Sequence, residues 1–145
     1  MIDSQDELTD SPVKWVADHV RRYVASDGKS GHRWSGTVTL LITTRGRKTG
    51  KLRRTALIYG RDGDRYIVVG SNGGKDDHPS WYLNLLEDPE VYVQVGSEKF
   101  TARARPATAG ERPDLWKLMA SIFPQYEAFQ KRTGREIPVV ILEPV

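Results

Sequence analysis

Cysteine is absent from the 145-residue sequence. Disulfides, thiolate nucleophiles, iron–sulfur clusters and zinc sites with cysteine ligands are therefore excluded. The three histidines, His19, His32 and His78, lack the spacing of a metal site, and we expect no such site. The sequence also lacks an apolar run approaching the ~20 residues that cross a bilayer, and its first residues do not resemble a signal peptide. These absences predict a cytoplasmic protein without a resident metal.

Charge of one sign is also scarce, because the formal net charge is only +3. This excess is too small to predict nucleic-acid binding by itself. Hydrophobic residues make up 38% of the chain, which is enough for a core of ordinary size. The length fits a single domain, residues 1–145. Within it we expect an N-terminal segment with an amphipathic helix, residues 1–36, and a barrel formed by residues 37–145.

Runs of β-branched and apolar residues predict six strands, at residues 37–43, 54–59, 65–69, 91–95, 99–104 and 137–142. Turn sequences predict antiparallel hairpins that join the second strand to the third and the fourth to the fifth. Four helices are predicted, one capped by Ser11 with Pro12 in its first turn, and three at residues 80–87, 109–123 and 125–133. Because strands and helices do not alternate, we expect an α+β fold, an antiparallel barrel of about six strands with peripheral helices.

The strongest local feature is the segment 45–54, in which six of ten residues are basic and none is acidic. Glycines between the charges expose backbone N–H groups, so the segment could bind phosphate or carboxylate through main chain and side chains. The alternative is a solvated hairpin tip. It is not a Walker-type loop, because only three residues separate Gly46 from Gly50 and Leu52 follows the lysine.

The segment 71–81 is a second candidate site, at the end of a predicted strand. Gly73 and Gly74 would let a flat ligand approach the backbone closely. Pro79 and Ser80 open a helix whose first amides could face an anionic or carbonyl-bearing ligand. The alternative is a flexible loop followed by a helix that packs Trp81 into the core.

Four aromatic residues of the last two helices, Trp116, Phe123, Tyr126 and Phe129, could wall an apolar pocket or simply form core. Tyr126 alone among them has a hydroxyl that could donate a proton or hydrogen bond. No Ser-His-Asp or paired-carboxylate pattern emerges, so a bound cofactor would have to supply the reactivity of an enzyme built on this chain.

Four motifs stand in a familiar order: GRKTG at 46–50, SNGG at 71–74, PSWYLNL at 79–85 and REIPVVILEP at 135–144. Together they resemble the deazaflavin-dependent nitroreductase family of actinobacteria, over residues 37–144. The resemblance implies a split β-barrel related to FMN-binding barrels. It also implies hydride transfer from the reduced deazaflavin coenzyme F420 to a small electron acceptor: a quinone, an enone or lactone, or a nitroaromatic.

The resemblance also implies roles for particular residues. Cofactor contacts are expected from Arg47, Lys48, Thr49, Arg53, Arg54, Thr55, Ala56, Leu57, Ile58, Val69, Gly70, Ser71, Asn72, Ser80, Trp81, Tyr82, Leu83 and Asn84. The phosphodiester and polyglutamate tail of F420 would explain the basic loop. The substrate pocket would comprise Trp116, Phe123, Tyr126 and Phe129, with Tyr126, Ser71 or solvent protonating the product.

Two departures from the family pattern qualify these roles. Phe123 and Phe129 stand where nitroimidazole-reducing members look tyrosine-rich, so we do not expect nitroimidazole activation. Asn72 stands where the family often has lysine, which removes one positive charge from the cofactor side.

Several alternatives remain open on the sequence alone. The first helix could pack on the barrel, cover the substrate, or touch a membrane that carries a lipid quinone. We expect a monomer or homodimer without a nucleic-acid partner. Other functions would be a non-catalytic deazaflavin carrier, an FMN- or haem-binding split barrel and, more remotely, a nucleic-acid-binding barrel.

Overall fold

The computed structural model describes residues 8–10 and 14–145 of the chain. The described strands are β1 (Leu8–Asp10), β2 (Arg33–Trp34), β3 (Thr37–Arg45), β4 (Leu52–Ile58), β5 (Gly60–Asp62), β6 (Arg65–Val69), β7 (Glu90–Val95), β8 (Glu98–Pro106) and β9 (Val139–Pro144). The helices are α1 (Lys14–Ala25), α2 (Ser80–Glu87), α3 (Arg112–Ile122) and α4 (Gln125–Arg132), with a short 3₁₀ turn at Asn72–Gly74.

The strands form one curled sheet in the order β1-β4-β3-β7-β8-β9-β6-β5, and β2 pairs with β3 beside this path. Every ladder is antiparallel except the parallel pairing of β1 with β4. Only Tyr59 separates β4 from β5 in the chain. In the sheet, however, β5 is the last strand on one side and β4 lies next to β1 on the other side, so the chain bends between them. The predicted α+β antiparallel barrel is confirmed.

The predicted number of six strands is wrong, because the described residues form nine. The additional strands β1, β2 and β5 have three, two and three residues. Segments this short contain too few alternating positions to give a recognisable strand pattern.

The predicted hairpin between residues 54–59 and 65–69 is also wrong. Strand β4 pairs with β3, where Ile42 faces Thr55, whereas β6 pairs with β9 and β5. The chain bends at Tyr59, and residues expected to form the turn become β5 instead. The true turn lies at Gly63, whose φ of 61° suits glycine. The other predicted hairpin, β7 to β8 around Gly96, is confirmed.

Helix α1 packs against the barrel through Val20 and Tyr23, which are fully buried beside Leu41 of β3. Packing, one of the roles left open for this helix, is therefore observed. The cap expected at Ser11 and Pro12 lies outside the described residues. The described part of the chain contains no helix with the length and apolar character needed to cross a membrane.

Strand β6 contributes to two separate hydrophobic clusters. Val68 points into the barrel cluster, with Leu40 and Val140 among its members. Ile67 and Val69 belong instead to the cluster beneath α3 and α4. Because both faces of β6 are covered, its residues after Arg65 are all apolar or aromatic rather than alternating with polar ones. This second cluster fixes the two late helices near the end of β6, where the segment 70–78 begins.

Candidate functional site

A basic cleft of about 520 Å³ opens between the loop after β3, the start of β4 and the start of α2. Its lining residues are Gly46, Arg47, Lys48, Thr49, Arg53, Arg54, Thr55, Asn72, His78, Pro79, Ser80, Trp81 and Asn84. Four of these described residues are arginine or lysine, and none is acidic. The cleft is therefore suited to an anionic ligand.

The loop that carries the positive charges is tightly folded. The Gly46 N–H donates to the Lys51 carbonyl at 2.7 Å, and the Gly50 N–H donates to the Gly46 carbonyl at 2.8 Å. Gly50 adopts a φ of 72°, in the left-handed region that favours glycine. The turn holds Arg47 and Lys48 exposed at the rim of the cleft.

Asn84 of α2 holds this loop in place through hydrogen bonds. Its side-chain oxygen accepts hydrogen bonds from the Arg47 backbone N–H at 3.1 Å and from Arg47 Nη1 at 2.9 Å. Its amide nitrogen donates to Thr44 Oγ1 at 3.1 Å. Asn84 is only 3% exposed, so these bonds form largely out of water. Asn84 thus positions Arg47, in addition to lining the cleft.

An apolar pocket of about 330 Å³ lies beside the cleft. It is lined by Trp15, Val16, His19, Trp34, Thr39, Ala56, Leu57, Ile58, Val69, Ser71, Gly73, Phe123, Tyr126 and Phe129. Strand β4 borders both cavities, with Arg54 and Thr55 in the cleft and the next three residues in the pocket. The segment 71–73 likewise borders both. A ligand extending along β4 would therefore have a charged end and an apolar end.

Most residues predicted for the site are brought together. Ten of the expected cofactor contacts line the cleft: Arg47, Lys48, Thr49, Arg53, Arg54, Thr55, Asn72, Ser80, Trp81 and Asn84. The remaining contacts on β4 and β6, and Ser71, line the pocket together with three of the expected substrate residues, Phe123, Tyr126 and Phe129.

Four predicted residues line neither cavity. Tyr82 and Leu83 pack with the barrel core. A Cβ added at Gly70 would lie 2.9 Å from the Pro138 ring, which shows close packing at this position. Trp116 faces away from the pocket, where its indole N–H donates to Glu127 at 2.7 Å.

Tyr126 lies edge-on to Phe123 and Phe129, with ring centroids 5.1 and 6.4 Å away. Burial raises the pKa of the Tyr126 hydroxyl above its usual range, so the group stays protonated at physiological pH. Its hydroxyl has no hydrogen-bond partner among residues 14–145. Tyr126 can therefore donate a hydrogen bond to a ligand in the pocket.

The sequence left substrate cover open as a role of the first helix, but it did not identify the residues of the N-terminal part of the chain that line the pocket. Trp15 and Trp34 stack at 6.4 Å with an interplanar angle of 16°, and remain 62% and 38% exposed at the pocket. His19 is buried in the same wall, and its pKa is lowered by burial and then by the charge of Arg22. The helical spacing of α1 identified a buried face but gave no sign of what its other residues contact.

The comparisons with known proteins agree with this geometry. A family model described as F420H(2)-dependent quinone reductase matches residues 15–144. The chain belongs to this family. An F420H(2)-dependent quinone reductase of Mycobacterium tuberculosis is 40% identical over 135 residues, which cover 90% of each chain. Membership confirms the predictions of an F420-dependent reductase, of coenzyme F420 as its cofactor and of a quinone as a small-molecule acceptor.

Two solved structures resemble this member of the quinone reductase family. One, described as a domain-swapped dimer, is 36% identical, covers 92% of this chain and 100% of its own, and has a TM-score of 0.70. The haem storage protein HutZ from Vibrio cholerae is 14% identical with a TM-score of 0.54, over 74% of this chain and 81% of its own. The second likeness concerns the fold alone and agrees with the expected split barrel.

The residues present fit the coenzyme of the quinone reductase family. The basic cleft offers four cations to a phosphodiester and carboxylates, without an acid among its described lining residues. The neighbouring pocket offers mainly apolar and aromatic surface to flat rings.

Proposed function

We propose that this chain binds reduced F420 with its anionic groups in the basic cleft and its ring system along β4, and that a quinone occupies the apolar pocket. The single observation that carries this assignment is the junction of the two cavities. Arg54 and Thr55 line the cleft, and Ala56, the next residue of the same strand, lines the pocket. An extended ligand with a charged tail and a flat head would follow this strand across the junction.

On the cofactor side, the exposed loop would bind the tail mainly by charge. The guanidinium groups of Arg47, Arg53 and Arg54 can each donate two hydrogen bonds to a phosphate or carboxylate, and Lys48 adds a compact positive charge. Because Asn84 fixes the Arg47 backbone, part of this charge is held in place before the ligand arrives. Preorganisation of this kind lowers the entropic cost of binding.

On the acceptor side, the pocket suits a flat molecule with few polar atoms. Phe123 and Phe129 form aromatic walls, and the Tyr126 hydroxyl can donate a hydrogen bond to a carbonyl oxygen of the acceptor. Ser71 offers a second hydroxyl in the same pocket. His19 is held neutral by burial, so the pocket contains little charge to disfavour a quinone.

When bound, reduced F420 would supply the hydride that reduces the quinone, and Tyr126, Ser71 or solvent would donate the proton that the quinone oxygen gains. The protein's contribution is to hold the two ring systems together and exclude water from the apolar pocket. Such positioning can lower a barrier by ~7 kcal/mol or more when the geometry is favourable. Tyr126 adds a donor that needs no rearrangement, since it is already protonated and unpartnered among the described residues.

We also propose that the protein forms a homodimer, as a solved relative described as a domain-swapped dimer does. Light scattering at several protein concentrations tests this proposal, and a monomer at all of them would refute it.

Contact of α1 with a lipid surface is a further proposal, supported by the exposure of Trp15 on the same helix as the exposed Lys14 and Arg21. Co-sedimentation with anionic vesicles tests it.

A fluorescence titration with F420, FMN and a single-stranded oligonucleotide tests the cofactor assignment. We expect saturable binding of F420 that weakens with salt, and no comparable binding of the other two ligands. Binding of FMN alone would overturn the proposed cofactor site. A panel of quinones, enones and nitroaromatics then tests the acceptor, and the apolar pocket leads us to expect the fastest oxidation of bound F420 with quinones.

A further inference from the structure

Arg135, from the segment that leads into β9, is surrounded by the backbone of the segment 70–78. Its guanidinium donates to three carbonyl oxygens: Ser71 at 2.8 Å, Lys75 at 2.9 Å and Gly70 at 3.3 Å. The same guanidinium lies 2.9 Å from Nδ1 of His78, through Nη1. One side chain thus holds both ends of a segment that borders the basic cleft and the apolar pocket.

The hydrogen bond between Arg135 and His78 determines the protonation of the imidazole. A guanidinium can only donate, so Nδ1 of His78 must accept. An imidazole that accepts through Nδ1 is neutral and carries its proton on Nε2. His78 therefore adopts the Nε2–H tautomer.

The surroundings of His78 reinforce this state. Its pKa is lowered by burial and by the positive charge of Arg135, against a smaller opposing effect of Asp77. The ring packs on Tyr82 with the centroids 4.9 Å apart, which limits its orientation. A proton on Nδ1 would bring two cationic donors to 2.9 Å from each other.

His78 is among the residues that line the basic cleft. Its Nε2 makes no hydrogen bond to another residue in the part of the chain that the structure describes. The donor that the tautomer creates is therefore available to a ligand in the cleft. It would add a neutral N–H donor beside the cationic groups of the cleft.

The segment 70–78 has an unusual backbone conformation that the hydrogen bonds from Arg135 can stabilise. Asn72, Gly73 and Gly74 have φ values of 48°, 65° and 81°, three successive residues in the left-handed region, which glycine adopts freely and asparagine tolerates. Gly74 also packs so closely on α4 that an added Cβ would lie 3.0 Å from Phe129 Cα. The hydrogen bonds from Arg135 help to stabilise this unusual backbone path.

We propose that Arg135 is a positioning residue that fixes His78 as the Nε2–H tautomer, and that His78 donates this hydrogen bond to an oxygen of F420 in the basic cleft. The proposal rests on the proposed function for the identity of the ligand. Neither residue is among the cofactor contacts expected from the sequence.

The tautomer is tested without any cofactor, by the ¹⁵N and ¹H chemical shifts of the His78 ring in labelled protein. We expect a protonated Nε2 and an unprotonated Nδ1 in the wild type near neutral pH. In Arg135→Gln, which removes the donor, we expect a mixture of tautomers. Arg103→Gln, which removes an exposed arginine of β8, is the control and should leave the shifts unchanged. A protonated Nδ1 in the wild type would overturn the proposal.

The donor role is tested by F420 titration of two variants. The amide nitrogen of glutamine can take the place of Nε2, whereas asparagine is too short to reach it. We therefore expect His78→Gln to bind F420 within about threefold of the wild type and His78→Asn to bind about tenfold more weakly. Equal affinity of the wild type and His78→Asn would refute the donor role.

The two failures can be told apart. If the wild type does not bind F420, both the proposed function and the donor role of His78 fail, but the chemical shifts still decide the action of Arg135. If F420 binds equally to all variants, the proposed function stands and the donor role fails. Should Arg135→Gln not fold, Arg135→Lys keeps the charge but cannot reach every acceptor, and it should show the same mixture of tautomers.

Discussion

Replacing Asn84 with alanine should release the basic loop from the rest of the molecule. The substitution removes two hydrogen bonds to Arg47, at 3.1 and 2.9 Å, and one to Thr44, at 3.1 Å. Arg47 is exposed, so water can replace much of what its side chain loses. Thr44 is 0% exposed, and its hydroxyl loses the amide that donates to it.

These losses set the expected magnitude for Asn84→Ala. An ordinary hydrogen bond contributes about 0.5–1.5 kcal/mol, and a buried polar group left unpaired costs about 1–3 kcal/mol. We expect the free energy of unfolding to fall by about 2–3 kcal/mol, and Tm to fall by about 4–12 °C. With the Arg47 backbone no longer fixed, the Kd for F420 should rise about tenfold, equivalent to about 1.4 kcal/mol.

Thr44→Val provides the matched control. It removes one hydrogen bond from Asn84 but leaves both bonds to Arg47 in place. We expect it to destabilise the protein by about 1 kcal/mol while leaving F420 affinity within about twofold of the wild type. Urea unfolding and fluorescence titration measure the two quantities. Wild-type affinity in Asn84→Ala, or equal loss of affinity in both variants, would refute the argument that Asn84 acts by holding the loop.

Lys48→Ala combined with Arg53→Ala should raise the Kd for F420 by about tenfold or more and flatten its dependence on salt, because charge pairs are removed. An unchanged salt profile would argue against the anion site. Tyr126→Phe should slow hydride transfer about tenfold at unchanged F420 affinity, whereas equal single-turnover rates would assign proton donation to Ser71 or solvent. Glu111→Gln should make the free energy of unfolding fall less steeply as the pH is lowered. Hydrogen bonds from Arg105 above all hold the folded-state pKa of Glu111 well below its usual range, so its stabilising effect exists above about pH 4 and is lost as pH falls. Identical pH dependence of urea midpoints in the wild type and this variant would contradict that account.

The part of the site that could be predicted from the sequence is the part carried by local motifs. The basic loop at 45–54 and the glycines at 73 and 74 stood out by charge and by backbone freedom. Residues of the loop line the basic cleft, and Gly73 lines the apolar pocket. Tyr126 was identified because its helix carried a hydroxyl among apolar rings. It does line the apolar pocket.

What could not be predicted depends on contacts between distant residues. Trp15 and Trp34 meet across the pocket only because α1 packs on the barrel, and no spacing within either segment indicates this contact. Trp116 shares the helical pattern of its neighbours but faces Glu127 instead of the pocket. The bend at Tyr59 depends on the pairing of β6 with β5. This pairing replaces the predicted hairpin between residues 54–59 and 65–69.

The central claim is that the adjoining cavities transfer hydride from F420 to a quinone. The most direct measurement mixes the protein loaded with reduced F420 with a soluble naphthoquinone under anaerobic conditions, in a single turnover followed by absorbance. We expect one oxidised F420 to form for each quinone reduced, faster than in the absence of protein. Reduced F420 that stays bound and unoxidised in the presence of the quinone would contradict the claim and indicate a carrier.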